Sequence, residues 1–344
     1  MSVRVKLFIA TIDAVYAKLI SDNISEFHTD KLEVSICSAL EGLREALSKS
    51  RYDVALIDTA FIKYADMSRI NLPLLLWSEA DSTDELPEGI GKVHKYQRIS
   101  SIVSSVLERY AKLSKSNYDP ESRKANITAV WSPAGGVGKT SVALAYALSS
   151  AADGKEAFYL SLEDFTSISA FFTGNGKSIS TVFEMLENHD GNINMLIQGV
   201  SCRDYGITYL CGPDNYEDMH ILSNVNIHEL VGCCSGLSEE LVIDLPSSCD
   251  IRTRKVLELA DNVLIVMLQT DMAKTKLAQF VSQNNVFESI QEKVTLIANM
   301  GAIINESAID PVISLPFVQS GDAMGVCKML SETELLRRKA WLKI

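Results

Sequence analysis

The segment Ser132–Ser141 reads SPAGGVGKTS and carries the most specific chemistry in the chain. Gly135, Gly136 and Gly138 let backbone N–H groups approach phosphate oxygens with no Cβ in the way. Val137 lies between them and Ser141 closes the segment. Lys139 offers a cation to the β and γ phosphates, and Thr140 offers a hydroxyl to Mg²⁺. That chemistry is the binding of a nucleoside triphosphate with Mg²⁺. Two acids extend it. Asp244 ends the apolar run in ELVIDLPSS, where a carboxylate can hold a water on the metal. Glu163 follows Ala157–Leu162, either as a group that acts on the phosphates or as an ordinary acid at a strand end.

These residues need particular elements around them. Ile127–Trp131 is a β-rich run and Val142–Ser149 is helical, so the glycine loop joins a strand to a helix, as phosphate loops require. The N-terminus of that helix points its dipole at the anion. Further strands are predicted at 157–162, 206–211, 241–243, 263–268 and 294–298. They make residues 127–330 one α/β domain with a mainly parallel sheet.

Residues 1–113 form a separate doubly wound α/β pattern. Its strands are predicted at 3–10, 32–37, 54–57, 72–77 and 92–96, with helices at 14–27, 40–49 and 100–113. The polar stretch 114–126, SKSNYDPESRKAN, is a linker. Residues 331–344 form a basic tail containing Trp341.

Bulk properties narrow the function further. The chain has 344 residues and a net charge of −12, which argues against sequence-independent nucleic-acid binding. Its seven cysteines contain no C-x-x-C pair and lie near no histidine cluster, so zinc is not expected. No apolar run is long enough to span a bilayer and the N-terminus lacks a signal-peptide core, so a cytoplasmic protein is expected.

The first domain resembles the receiver domains of two-component response regulators in layout. Asp58, at the end of the third strand, stands where receivers are phosphorylated, and Ser78 and Lys95 stand at their hydroxyl and lysine positions. Receivers end their first strand with two acids that hold Mg²⁺; here those positions are Ala10 and Thr11. The resemblance therefore implies an atypical receiver-like (flavodoxin-like) domain used for contacts, with phosphorylation at Asp58 as an alternative.

The second domain resembles the ParA/MinD superfamily of P-loop ATPases, whose loop is written KGGxGKT. Pro133 occupies the glycine position of the general P-loop pattern, and Ala134 occupies the superfamily's first lysine. The resemblance implies ATP as the nucleotide and a homodimer with ATP between two P-loop domains. It makes Lys139, Glu163 and Asp244 the catalytic candidates, Thr140 and Asp244 the metal ligands, and Asn299 and Pro316 contacts to the base. Glu163 would replace the acid that positions the attacking water, and Ser161 the acid two residues earlier. Without the lysine at 134, hydrolysis is expected to be weak or absent.

A receiver-like domain followed by a ParA/MinD-like ATPase resembles the layout of the CpaE/TadZ group. That likeness implies a nucleotide-dependent switch that localises or assembles a Tad-type pilus or secretion machine, at a cell pole or the inner face of the membrane. An active ATPase in partition or another positioning role is the alternative. By likeness to MinD, the tail would give weak membrane contact.

Overall fold

A computed structural model describes residues 4–29, 31–79, 90–114, 125–174, 176–188, 191–301, 309, 312–333 and 336. The chain divides into two compact units, Met1–Lys115 and Ser116–Ile344.

In the first unit, β1 (Val5–Ala10), β2 (Leu32–Cys37), β3 (Tyr52–Asp58), β4 (Ile70–Trp77) and β5 (Gly91–His94) form one parallel sheet. The order β2-β1-β3-β4-β5 is that of flavodoxin-like doubly wound domains. The central strands β1 and β3 are near-continuous apolar runs because helices cover both faces. The helix Ala14–Phe27 starts where it does because Asp13 accepts a capping bond from the Tyr16 N–H at 2.9 Å. The fifth strand stops at His94, short of its predicted end, and Tyr96 leaves the sheet at φ +61°.

In the second unit, β6 (Asn126–Trp131), β7 (Ala157–Ser161), β8 (Cys202–Asp204), β9 (Ile207–Tyr209), β10 (Glu240–Asp244), β11 (Asn262–Met267), β12 (Val294–Ala298) and β13 (Val312–Ser314) form a second sheet. Its order is β13-β12-β11-β6-β10-β7-β9-β8, parallel except for β8 against β9. Neighbouring strands put Asp244 level with Val130 on one side and Ser161 on the other. This register brings the phosphate loop after β6, the acid ending β10 and the loop after β7 to one edge of the sheet.

The helix Lys139–Ala152 lies on this sheet and is apolar almost all round, with Val142 to Ser150 buried. Alanines at 143, 145 and 147 keep it narrow enough for close packing. Helices at Ser180–Asn188, Ile193–Val200, Asn224–Gly236, Asp271–Ser282 and Ala323–Ser331 complete the layers. The predicted strand 206–211 is shorter than expected, and β8 pairs with it as a hairpin. The sequence Cys-Arg-Asp of β8 has no alternating apolar pattern, so only pairing reveals it. The Leu336 carbonyl accepts from the Ser149 hydroxyl at 3.1 Å, but residues 337–344 of the predicted tail lie outside the described residues. Among the described residues, no helix is long and apolar enough to cross a membrane.

At the far end of β10 from Asp244, Glu240 is fully buried. It accepts hydrogen bonds from Tyr146 at 3.1 Å, Lys155 at 3.1 Å, Thr128 at 3.4 Å and the Asn126 amide. Removing Glu240 leaves the buried Tyr146 and Thr128 hydroxyls without this acceptor. Glu240→Ala is expected to lower the stability of this domain by about 3–5 kcal/mol, read from the midpoint of a urea transition.

Candidate phosphate-binding site

The site begins with backbone geometry. Gly136 has φ +70° and Gly138 has φ +88°, a region that side chains strain to adopt. Gly138 caps the helix Lys139–Ala152. A Cβ there would lie 2.4 Å from the Asn299 amide nitrogen, so the position excludes side chains on two counts. A Cβ at Gly135 or Gly136 would meet nothing within 4 Å, so these two glycines border open space. Ser132 is buried, and its hydroxyl accepts from the Ala134 N–H at 3.1 Å, which tightens the start of the loop.

Lys139 is only 7% exposed. Its ammonium donates to the Ser247 hydroxyl at 3.1 Å and stands 3.6 Å from a carboxylate oxygen of Glu163. Ser247 in turn donates to the Ala134 carbonyl at 3.2 Å. Asp244 is fully buried: Oδ2 accepts from the Tyr159 hydroxyl at 2.9 Å, and among the described residues Oδ1 has no hydrogen-bond partner. Burial, and then the Glu163 charge, push the Asp244 carboxyl up to about 7. Burial raises Glu163 too, against the pull of Lys139. The Thr140 hydroxyl lies beside both acids and draws each back down.

The fold thus gathers Lys139, Thr140, Glu163 and Asp244 around the glycine loop. A divalent cation suits this donor set. It would meet the unpartnered Asp244 oxygen and the Thr140 hydroxyl, and it would offset the repulsion between the two acids.

The remaining predicted contacts have other partners. The Asn299 amide donates to the Val137 carbonyl at 2.9 Å, so its donor end braces the phosphate loop from beneath. Pro316 and Phe317 are exposed on a loop whose Leu315 carbonyl accepts from Gly301 at 2.8 Å, two residues past Asn299. The Ser141 hydroxyl meets the Cys327 thiol.

Sequence reasoning did not single out Ser247 or Tyr159. Ser247 follows Asp244 by three residues in ELVIDLPSS, which was the available signal. Tyr159 becomes a partner of Asp244 only through the β7–β10 register. Arg252, 5% exposed, also escaped notice: it ties Asp164 at 3.2 Å to Asp250 at 2.6 Å, joining the loops that follow β7 and β10.

In the first unit, Asp58 is 1% exposed and both its oxygens are engaged. Oδ2 accepts from Thr11 at 2.8 Å and from Lys95 at 3.0 Å, while Oδ1 accepts from Thr59 at 3.2 Å and from the Ala60 N–H at 3.4 Å. Thr11 thus acts as a donor to the carboxylate.

No protein-family model matches the chain, and no curated protein matches it in sequence. Among solved structures, the ParA family ATPase from Chlorobium tepidum TLS aligns with a TM-score of 0.50 at 17% identity, covering 64% of this chain and 95% of that one. The cobyrinic acid a,c-diamide synthase from Mycobacterium smegmatis, with bound ADP and magnesium, aligns at 17% identity over 64% and 98% of the two chains with a TM-score of 0.47. The septum site-determining protein MinD from Pyrococcus horikoshii OT3, complexed with Mg-ADP, aligns at 13% identity over 63% and 93% with a TM-score of 0.45. At such identities the likeness is one of fold alone: about two thirds of this chain shares the α/β, mostly parallel-sheet fold of the ParA family ATPase.

Two outcomes follow. Asp244 is raised relative to the unfolded chain, so the folded protein holds an extra proton between the two values and the stability this group contributes is lost as pH rises through about 7. Asp244→Asn is therefore expected to raise the metal-free melting temperature most at pH 8, less at pH 5 and little below about pH 4, in paired thermal scans. Lys95→Met leaves the buried Asp58 carboxyl without its cation, and is expected to cost about 3–5 kcal/mol in the chemical denaturation of the first domain.

Proposed function

We propose that the chain binds Mg·ATP at the 132–141 loop and uses the bound state as a dimerising switch that hydrolyses ATP slowly or not at all. The observation that supports this most is the Lys139–Ser247–Glu163 cluster beside an Asp244 oxygen that is buried without a partner. When bound, Mg²⁺ would offset the negative charge of the phosphates. Thr140 and Asp244 would hold it from the protein side. The backbone of Gly135–Gly138 would cradle the phosphates, and Lys139 would turn from Ser247 and Glu163 toward them. Asn299, Pro316 and Phe317 would flank the nucleoside.

Slow hydrolysis follows from Ala134. The resembling superfamily has a lysine at this position that reaches the partner's nucleotide, and an alanine methyl cannot stabilise transition-state charge. The receiver-like first domain would act as a contact surface, since Asp58 is sealed by Thr11 and Lys95 and has no paired acids beside it for a metal. Together with the domain order, these departures support a role like that of the CpaE/TadZ group, in localising a Tad-type pilus or secretion machine. An active ATPase is the second reading, and it is favoured by Glu163, a half-buried acid of raised pKa next to the phosphate lysine.

Calorimetry with Mg·ATP, light scattering and a phosphate-release assay distinguish these readings. Expected are binding that Lys139→Ala weakens at least about a hundredfold, ATP-dependent dimers, and turnover below the ~1 s⁻¹ lower end of ordinary enzymes. Fast turnover abolished by Lys139→Ala sinks the switch and establishes the second reading. Absence of any Mg·ATP binding sinks both.

A further inference from the structure

Away from the phosphate loop, two thiols meet at the edge of the second sheet. Cys202 opens β8, and Cys211 lies two residues past β9, whose last residue Tyr209 pairs with Cys202; Cys211 itself bridges Ser178. Both are half-buried. A Cβ at Gly176 would lie 2.4 Å from the Cys202 sulfur and 3.1 Å from the Cys211 sulfur, so the two sulfurs converge on one point of backbone. Gly174 packs against Cys202 in the same way, with a Cβ position 3.2 Å from the sulfur.

Their surroundings separate this pair from the other cysteines. Burial pushes the Cys37 thiol up to about 11 and those of Cys233 and Cys327 to about 12; it also raises Cys234 and Cys249. Cys211 goes the other way, down to about 7, because the Cys202 thiol hydrogen-bonds to it. A thiolate that is accessible and adjacent to a second thiol is the arrangement of an attacking and a resolving cysteine.

We propose that Cys211 and Cys202 form a peroxide-oxidised dithiol, with Cys211 as the attacking and Cys202 as the resolving residue. The Cys211 thiolate attacks one oxygen of a hydroperoxide. The O–O bond breaks and the departing oxygen leaves as water or alcohol, taking up the proton lost by the thiol. Cys211 is then a sulfenic acid. The Cys202 sulfur attacks the Cys211 sulfur, the S–O bond breaks, and the second water leaves with the Cys202 proton. Two thiols have lost two electrons and two protons, and the peroxide has been reduced. The product closes the 202–211 hairpin, and dithiothreitol reopens it.

The test treats the full chain with hydrogen peroxide, removes excess with catalase, blocks remaining thiols with N-ethylmaleimide and measures intact mass and peptides. Two fewer blocked thiols and a Cys202–Cys211 peptide, lost on reduction, are expected. Cys202→Ser is expected to leave a dimedone-reactive Cys211. Cys211→Ser is expected to slow oxidation of Cys202 at least about tenfold. The proposal is overturned if both residues remain blockable after peroxide, if the disulfide joins another pair or two chains, or if Cys211 is alkylated no faster than the exposed Cys249.

Discussion

One buried carboxylate organises the second domain. Asp244 ends the strand between the one that launches the glycine loop and the one that leads to Glu163, and its Oδ2 accepts a hydrogen bond from Tyr159. A carboxylate stripped of water and left with an unpartnered oxygen is costly by itself. The fold tolerates it because Lys139 and Thr140 stand nearby and because protonation near neutrality relieves the charge. The same arrangement makes the position receptive to a cation. What destabilises the metal-free domain is what would recognise Mg²⁺.

The first domain handles a similar acid in the opposite way. Asp58 also ends a central strand of a doubly wound sheet, yet each of its oxygens accepts two hydrogen bonds, one of them from the Lys95 ammonium. It has no unused acceptor facing a ligand and serves as an internal tie between β1, β3 and the segment after β5. The contrast lies in the neighbours. Thr11, just after β1, supplies a hydrogen-bond donor to this corner, and Ala10 beside it supplies no charge. The two acids, alike in sequence context, therefore differ in whether their electrostatic demand is met inside the chain.

The loop residues around the phosphate site are similarly committed to one another. Ser247 spans Lys139 and the Ala134 carbonyl, Asn299 holds the Val137 carbonyl, and Arg252 joins Asp164 to Asp250. Each links a loop from one strand to a loop from another. A change in what Lys139 contacts therefore bears on the loops after β7 and β10 through direct hydrogen bonds.

Much of this was legible in the chain alone. The strand–loop–helix unit carrying Lys139 and Thr140 and the strand ending in Asp244 could be read because glycines punctuate the loop and strands buried on both faces must be apolar. The hairpin of β8 and β9, the partners Ser247 and Tyr159, the Arg252 tie, the bracing role of Asn299 and the meeting of Cys202 with Cys211 could not be read. Each depends on strand order and register, which place side chains far apart in sequence within hydrogen-bond reach; Asn299 and Val137 are 162 residues apart. Local spacing determined which groups could touch a phosphate. Only the tertiary structure decided which groups they touch in the protein itself, because desolvation and partner geometry arise when distant strands are packed side by side.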